Sequence, residues 1–317
     1  MTSPHMSTLN FIGNTRLLPI RHLTAEGSAT VLLKLEYENP TGSMKDRMAL
    51  AMVEGAERDG RLRAGGSVVE YTGGSTGVSL AFVCAVKHIP LKIVTSIAAS
   101  AEKRAHMSAL GAELTLVDAP GGVTTKEMIQ EMIETARRLA EAPGSYWTDQ
   151  FNNRDQVGAY HTMADELWEQ TGGRISAFVQ SVGTGGSLRG TSTRLREHDR
   201  NIRVIAVEPA ESAVLSGKPS GSHRIEGTGA GFVVPHWDPS LANAIEPVSS
   251  ADAMAMARRL AREEGIFAGT STGANVTVAL REAARLGPGS TVVTVACDSG
   301  MKYLSTEQYR ESGDSGT

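Results

Sequence analysis

The chain is poor in cysteine and aromatic residues, and neither scarce residue type points to a site. Its two cysteines, Cys84 and Cys297, are far apart in 317 residues, so no disulfide framework is expected. Cys84 lies in an apolar helical run and Cys297 ends a strand-like run. In such places a buried, unreactive thiol is commoner than a nucleophile. We therefore assign neither thiol a catalytic role.

Other absences exclude whole classes of protein. The histidines show no HExxH or CxxC-type spacing, so no metal site is predicted. No run reaches the roughly 18 apolar residues of a membrane helix, and the N-terminus lacks the features of a signal peptide. With a formal net charge of −4 and no basic run, nucleic acid is not an expected partner. We expect a cytoplasmic protein that does not contact membranes.

What the chain does contain is an alternation of apolar runs and helical periodicity. With 40% hydrophobic residues, it suits two α/β domains that share a cleft. Runs that are apolar on both faces predict mostly parallel sheets, and the intervening helices predict a doubly wound architecture. The predicted strands are residues 30–37, 67–72, 92–97, 112–118, 177–182, 203–209 and 291–297.

One segment interrupts this alternation. Residues 141–153, EAPGSYWTDQFNN, bring proline, glycine and aromatic residues together, as expected at a crossing between domains. We predict an N-terminal domain over 1–150, a C-terminal domain over 151–306 and a flexible tail over 307–317. About the first 40 residues can pack on the C-terminal domain.

The strongest single motif is NPTGSMKDR, residues 39–47. Thr41 or Ser43 can cap the helix that follows, which places Lys45 in its first turn. A helix start disfavours a cation and so favours a neutral amine. Such an amine can attack an aldehyde in Schiff-base chemistry. Taken alone, however, this residue is most simply a surface lysine.

A glycine-rich turn supplies the partner for Lys45. The run SVGTGGSLRG, residues 181–190, follows a predicted strand and opens a helix, so its backbone amides can bind a phosphate. It is not a dinucleotide fingerprint, because Leu188 occupies the third glycine position. A nicotinamide-dependent dehydrogenase is therefore disfavoured. The turn lacks the Gly-Lys-Ser/Thr of a Walker loop as well.

Three further glycine-rich segments could line a site. The turn EYTGGSTGVSLA, residues 70–81, suits a substrate carboxylate at a helix N-terminus. In GIFAGTSTGAN, residues 265–275, the hydroxyl of Ser271 can face a ring nitrogen. The run IEGTGAGF, residues 225–232, adds a flexible wall. Four such segments and a lysine motif in one chain are hard to explain as structure alone.

In this order, the motifs NPTGSMKDR, TGGSTG, GTGGS, IEGTGAGF, GTSTGA and DSGMKYLST resemble those of the cysteine synthase family. These are fold type II pyridoxal-phosphate enzymes with a tryptophan synthase β-like fold. The resemblance extends from Thr15 to Thr306. It implies two doubly wound, mostly parallel sheet domains, with pyridoxal 5′-phosphate in the cleft between them, and a homodimer.

The resemblance also implies a role for each matching residue. Lys45 matches the lysine that forms the internal aldimine and moves the α-proton. Ser271 matches the serine that hydrogen-bonds the pyridine nitrogen. Gln150 matches a glutamine that helps to bind the substrate carboxylate. The carboxylate loop is matched by Thr72, Gly73, Gly74, Ser75 and Thr76, and the cofactor phosphate loop by Gly183, Thr184, Gly185, Gly186 and Ser187.

The chain departs from the family pattern in one loop. The family usually has TSGNTG, whose asparagine hydrogen-bonds the 3-oxygen of the cofactor, whereas this chain has Gly73 and Ser75 at the second and fourth positions. Ser75 is assigned to both the cofactor and the substrate site. Because serine is shorter than asparagine, the hydrogen bond to the 3-oxygen is either absent, mediated by water or made by another residue. The serine hydroxyl could also accept a proton, or bond to its own backbone.

The function that the resemblance implies is β-substitution. L-cysteine would form from O-acetyl-L-serine or O-phospho-L-serine and sulfide, through an aminoacrylate. A serine at the ring nitrogen leaves that nitrogen largely unprotonated, so electrons should leave at Cβ. Alternatives are the formation of cystathionine or diaminopropionate, and the dehydration of serine or threonine. A different class is a catalytically silent regulatory partner, for example of a serine acetyltransferase.

Overall fold

The computed structural model describes residues 6–119 and 126–309, which form two β-sheets flanked by helices. The strands are β1 Leu17–Pro19, β2 Thr30–Lys34, β3 Ser67–Tyr71, β4 Leu91–Ser96, β5 Glu113–Val117, β6 Ser145–Trp147, β7 Ala177–Ser181, β8 Arg203–Pro209, β9 Ala244–Val248 and β10 Thr291–Val295. The helices are α1 Lys45–Asp59, α2 Ser75–Lys87, α3 Ala101–Ala109, α4 Lys126–Ala140, α5 Asp155–Thr171, α6 Gly186–His198, α7 Ser250–Arg259 and α8 Thr270–Leu286.

The larger sheet has six strands in the order β1-β2-β10-β7-β8-β9, and the smaller has four in the order β5-β4-β3-β6. Every pairing is parallel except that of β1 with β2. The prediction of mostly parallel sheets is therefore confirmed, and all seven predicted strands are present. Strands β1, β6 and β9 were not predicted; two of them have only three residues.

The N-terminal segment joins the larger sheet. Strand β2 pairs with β10, and Val31 lies opposite Val292. The four-stranded sheet is built wholly from residues 67–147, whereas the six-stranded sheet combines β1 and β2 with strands that follow residue 176. The chain thus begins in one sheet, builds the other, and then returns.

Helix α1 lies between the two sheets. Its residues Met48 and Met52, together with the preceding Met44, are at most 2% exposed. They share one apolar core with Val68 of the small sheet and Phe178 of the large one. Because this core is close-packed, the N-terminus of α1 is held at the boundary of the two sheets, where Lys45 begins the helix.

The end of the chain differs partly from our expectation. Gln308 and Tyr309 both donate hydrogen bonds to the carbonyl of Ala268, and Gln308 is 3% exposed. Gln308 and Tyr309, which belong to the segment predicted as a flexible tail over 307–317, are therefore packed on the fold. The rest of that predicted tail, residues 310–317, lies outside the described residues.

Within residues 6–119 and 126–309, no helix combines the length and apolar character needed to cross a bilayer.

Candidate active site

Lys45 is the first residue of α1 and is half-buried. The N-cap position is Met44 rather than Thr41 or Ser43, although the amide of Lys45 does donate to the Ser43 hydroxyl at 3.2 Å. The Met44 amide donates to the Cys297 carbonyl at 2.9 Å. This bond ties the lysine turn to the chain just beyond β10, at the carboxyl end of the large sheet.

The predicted phosphate loop, Gly183–Ser187, connects β7 to α6. Gly185 is the N-cap of α6 with φ +86°, a left-handed conformation that favours glycine. The first helical bond within α6 runs from Arg189 to the Gly185 carbonyl at 3.0 Å. The amides before it lie in the first turn, where intrahelical acceptors do not exist and the helix dipole favours an anion.

Two glycines of this loop leave no room for a side chain. A Cβ on Gly183 would lie 2.3 Å from the Gly227 carbonyl, and one on Gly186 would lie 2.3 Å from Oε1 of Gln156. The hydroxyl of Thr184 is also committed, since it donates to the same Gln156 atom at 2.7 Å. The loop therefore offers an anion mainly backbone amides.

Ser187 adds one hydroxyl to the loop. Its Oγ accepts a hydrogen bond from Nε2 of Gln180 at 2.8 Å. Because a hydroxyl has one proton to donate and can accept as well, that bond leaves the Ser187 proton available for a phosphate oxygen.

Ser271 and Lys45 both influence the thiol of Cys297. Burial raises the pKa of the Cys297 thiol to about 11, while the Lys45 charge and hydrogen bonds with the Ser271 and Ser181 hydroxyls oppose that rise. Ser271 is 4% exposed. The amine of Lys45 and the hydroxyl of Ser271 thus both lie close enough to Cys297 to influence its thiol. The thiol between them stays protonated near neutral pH.

The predicted carboxylate loop and Gln150 are joined directly. The Thr76 hydroxyl donates to Oε1 of Gln150 at 2.8 Å, and Nε2 of Gln150 donates to the Tyr71 carbonyl at 3.0 Å. Within the loop, the Gly74 amide donates to the Thr72 hydroxyl at 3.1 Å. These bonds fix the start of α2, a helix N-terminus of the kind at which a carboxylate can bind. Gly73 is exposed.

The hydroxyl of Ser75 has a definite partner. It donates to Oδ2 of Asp298 at 2.9 Å, and the Tyr303 hydroxyl donates to the same oxygen at 2.7 Å. Oδ1 of Asp298 is buried without a hydrogen-bond partner among the described residues. Sequence reasoning missed this carboxylate, although it begins the DSGMKYLST motif. Ser75 therefore bridges the two sheets and does not bond to its own backbone.

Glu70, which begins the EYTGGSTGVSLA run but was given no role from the sequence, holds Gln150 in place. This carboxylate is fully buried at the end of β3. It accepts hydrogen bonds from the amides of Tyr71 at 2.8 Å and Gln150 at 3.0 Å, and from the Thr148 hydroxyl at 2.5 Å. Burial raises the pKa of Glu70 to about 7, and these three bonds oppose that rise.

Taken together, the donors match the chemistry of pyridoxal phosphate. Lys45 has an amine that can react with an aldehyde, and the Gly183–Ser187 loop has backbone amides and one hydroxyl that can bind an anion. Ser271 has a neutral hydroxyl that can pair with a ring nitrogen. Within the described ranges, no cluster of three or more His, Cys, Asp or Glu side chains could hold a metal ion.

Comparisons with known proteins agree with this donor set. The family model described as pyridoxal-phosphate dependent enzyme matches residues 8–298. A cysteine synthase of Staphylococcus aureus is 42% identical over 94% of this chain and 95% of its own. The crystal structure of cysteine synthase (OASS) from Entamoeba histolytica has a TM-score of 0.90 at 35% identity, covering 99% of this chain and 95% of its own.

The name of a further structural relative indicates a different product. It is the O-acetylserine dependent cystathionine beta-synthase from Helicobacter pylori, with a TM-score of 0.89 at 33% identity, covering 98% of this chain and 100% of its own.

Proposed function

Because the chain belongs to the pyridoxal-phosphate-dependent enzyme family, we propose that it forms L-cysteine from O-acetyl-L-serine and sulfide by β-substitution. The proposal is supported by the influence of both Lys45 and Ser271 on Cys297 and by the bonds of Gln180 to Met44 and Ser187. The chain also matches a cysteine synthase over 94% of its length.

In the proposed reaction, the protein binds the cofactor and transfers the α-proton of the substrate. When bound, pyridoxal phosphate would withdraw electrons from the Cα of the amino acid. Lys45 would hold the cofactor covalently through Nζ and, once displaced by the substrate amine, would take the α-proton and later return it. The Gly183–Ser187 amides would anchor the phosphate. Ser271, a neutral hydroxyl, would leave the ring nitrogen unprotonated and so favour loss of the Cβ substituent.

Substrate orientation would come from the other sheet. The amides of the 72–76 loop, at the N-terminus of α2, would bind the substrate carboxylate, and Gln150 would support it through its bond to Thr76. With the carboxylate on one sheet and the amine near Lys45 on the other, the Cα proton would be directed to the lysine.

A cytoplasmic homodimer and an association with a serine acetyltransferase are parts of the same proposal. Their support is the motif resemblance from Thr15 to Thr306.

A substrate screen tests the proposed reaction. The purified protein, loaded with the cofactor, should convert O-acetyl-L-serine and sulfide into L-cysteine, measured by chromatography of the derivatised product. O-phospho-L-serine and L-serine replace the first substrate in parallel arms, and homocysteine replaces sulfide in another. We expect the O-acetylserine and sulfide arm to be fastest.

Product in the homocysteine arm alone would reassign the enzyme to cystathionine formation. Failure of every arm, in protein shown by mass spectrometry to carry the cofactor on Lys45, would overturn the assignment in favour of a silent binding protein.

Glu70 gives the proposed site a pH dependence. Since burial raises its pKa to about 7, the carboxylate is ionised above that pH and protonated below it. Protonation removes acceptor capacity from the oxygens that hold Gln150 and Thr148. KM for the amino-acid substrate should therefore rise as the pH falls through about 7. Glu70→Gln should raise KM at every pH and flatten this dependence.

Thr148→Val is the matched control for this prediction. It removes one hydrogen bond to Glu70 and keeps the titrating carboxylate, so it should raise KM only modestly and preserve the dependence on pH. An unchanged KM profile in Glu70→Gln would show that Glu70 does not position Gln150.

A further inference from the structure

An ion pair between a buried lysine and a partly exposed glutamate joins the two halves of the fold. Nζ of Lys103, in α3, lies 2.5 Å from Oε2 of Glu226. The lysine side chain is 2% exposed and that of the glutamate 39%. The ammonium also lies over the ring of Tyr303, 4.1 Å from its centroid. A charge buried this deeply needs a partner, and Glu226 is the carboxylate that provides it.

Both ends of this pair touch the proposed site. Nζ of Lys103 lies 3.5 Å from the position that a Cβ on Gly74 would occupy, beside the carboxylate loop. The Glu226 amide donates to the Thr270 hydroxyl at 3.1 Å, next to Ser271. The following residue, Gly227, packs its carbonyl against Gly183 of the phosphate loop. The pair therefore lies beside both loops, and in the proposed function the Cβ substituent of the substrate would lie between them.

Further charged groups lie around Lys302, an electrostatic neighbour of Lys103. Lys302 has a buried ammonium with no hydrogen-bond partner in residues 6–119 and 126–309. Its electrostatic neighbours include Lys103, Asp46 and Asp298. Asp298 shares its Oδ2 with Ser75 and Tyr303. Glu226 is thus the partly exposed carboxylate that pairs with Lys103, and its loss would leave that ammonium without an ion-pair partner among the described residues.

We propose that Glu226, by neutralising Lys103, selects substrates with an uncharged Cβ leaving group and rejects those that carry a phosphate. This inference rests on the proposed function, and it assigns the choice between O-acetyl-L-serine and O-phospho-L-serine to one carboxylate. A dianionic phosphate would meet repulsion from Glu226 at short range, and it could bind Lys103 only by displacing that partner. An acetyl group meets neither obstacle.

The test is Glu226→Gln, which keeps the shape and a hydrogen-bonding oxygen for Lys103 but removes the charge. The ratio of kcat/KM for O-phospho-L-serine to that for O-acetyl-L-serine should rise about tenfold or more. Lys103→Met, which leaves Glu226 uncompensated, should lower the same ratio. Glu307→Gln is the control, because it removes one equal charge from an exposed pair with Arg224, and it should leave the ratio unchanged.

A binding measurement separates this inference from the proposed reaction. Isothermal titration calorimetry of the holoenzyme with L-2-amino-4-phosphonobutyrate, an unreactive phosphonate, and with L-norvaline, an uncharged analogue, needs no turnover. Glu226→Gln should tighten binding of the phosphonate about tenfold relative to norvaline. If no variant turns over but this shift appears, the reaction is wrong and the charge selection stands. An unchanged binding ratio would overturn the selection and leave the pair as a purely structural bridge.

Discussion

Lys45→Ala is expected to lower turnover about 10³-fold or more, because it removes the group that would move the α-proton. It should also end covalent attachment of the cofactor. Treatment of the wild-type holoenzyme with borohydride should leave the cofactor mass on the peptide that contains Lys45, as read by mass spectrometry after denaturation. The variant should show no such mass on any peptide.

This variant should remain folded, which makes the result interpretable. Lys45 is half-buried at the start of α1, and the packing of that helix depends on Met44, Met48 and Met52. The Gly183–Ser187 loop is untouched, so the cofactor should still bind non-covalently through its phosphate. Lys87→Ala, which removes a lysine on α2 paired with Glu54 and Glu57, should keep both turnover and the labelled peptide.

Wild-type protein that turns over without any label on Lys45, or a variant that retains label elsewhere, would contradict the assignment of this lysine.

The architecture could be predicted because apolar strand-like runs alternate along the sequence with segments of clear helical periodicity. Buried parallel strands such as Ala177–Ser181 are apolar throughout most of their length, which gives a clear signal in a single sequence. The unpredicted strands are short or sit at an edge of the larger sheet: β1 is the antiparallel edge, and β9 contains Pro247. Their pairing is decided by the neighbouring strand, which the local pattern does not show.

Parts of the candidate site that glycine and lysine mark as a turn could be predicted from the sequence. Residues whose role depends on a partner far away in the sequence could not. The Gly183–Ser187 loop and Lys45 stand out locally. Asp298 is 223 positions away from its partner Ser75, and Glu226 is 123 positions away from Lys103. No local pattern identifies a carboxylate that acts through so distant a partner, although both lie within motifs that the sequence displays.

Two residues after Lys45, Arg47 joins a buried ionic network that fixes the orientation of α1. Its guanidinium donates to both carboxylate oxygens of Glu36 at 2.8 Å and to both oxygens of Glu166 at 2.8 Å. Lys34 pairs with Glu166 at 2.6 Å. The side chains of Arg47 and Glu36 are 3% and 0% exposed. Bidentate ion pairs with so little exposure are strong. Removing only one partner is strongly destabilising, because it leaves the other charge buried without a counter-charge.

Arg47→Met should therefore lower the free energy of unfolding by about 3–5 kcal/mol, because it leaves Glu36 and Glu166 buried with too little positive charge. The measurement is denaturant unfolding followed by circular dichroism at neutral pH. Arg137→Met is the matched control: Arg137 pairs with Glu134, both are 58% exposed, and its loss should cost less than about 1 kcal/mol. Equal losses in the two variants would show that the network contributes no more than a surface pair.

The same network predicts the direction of acid sensitivity. Although burial alone would raise the pKa of Glu166, its ion pairs with Arg47 and Lys34 lower it to about 2, from an ordinary value of 4.5. An unfolded chain therefore takes up a proton at Glu166 before the folded one does. The stability that this carboxylate contributes is present above about pH 4.5 and is lost as the pH falls toward 2. Because Arg47→Met removes the main cause of the lowered pKa, the variant should lose less stability than the wild type over this interval, and a parallel loss in both proteins would contradict the assigned role of Arg47.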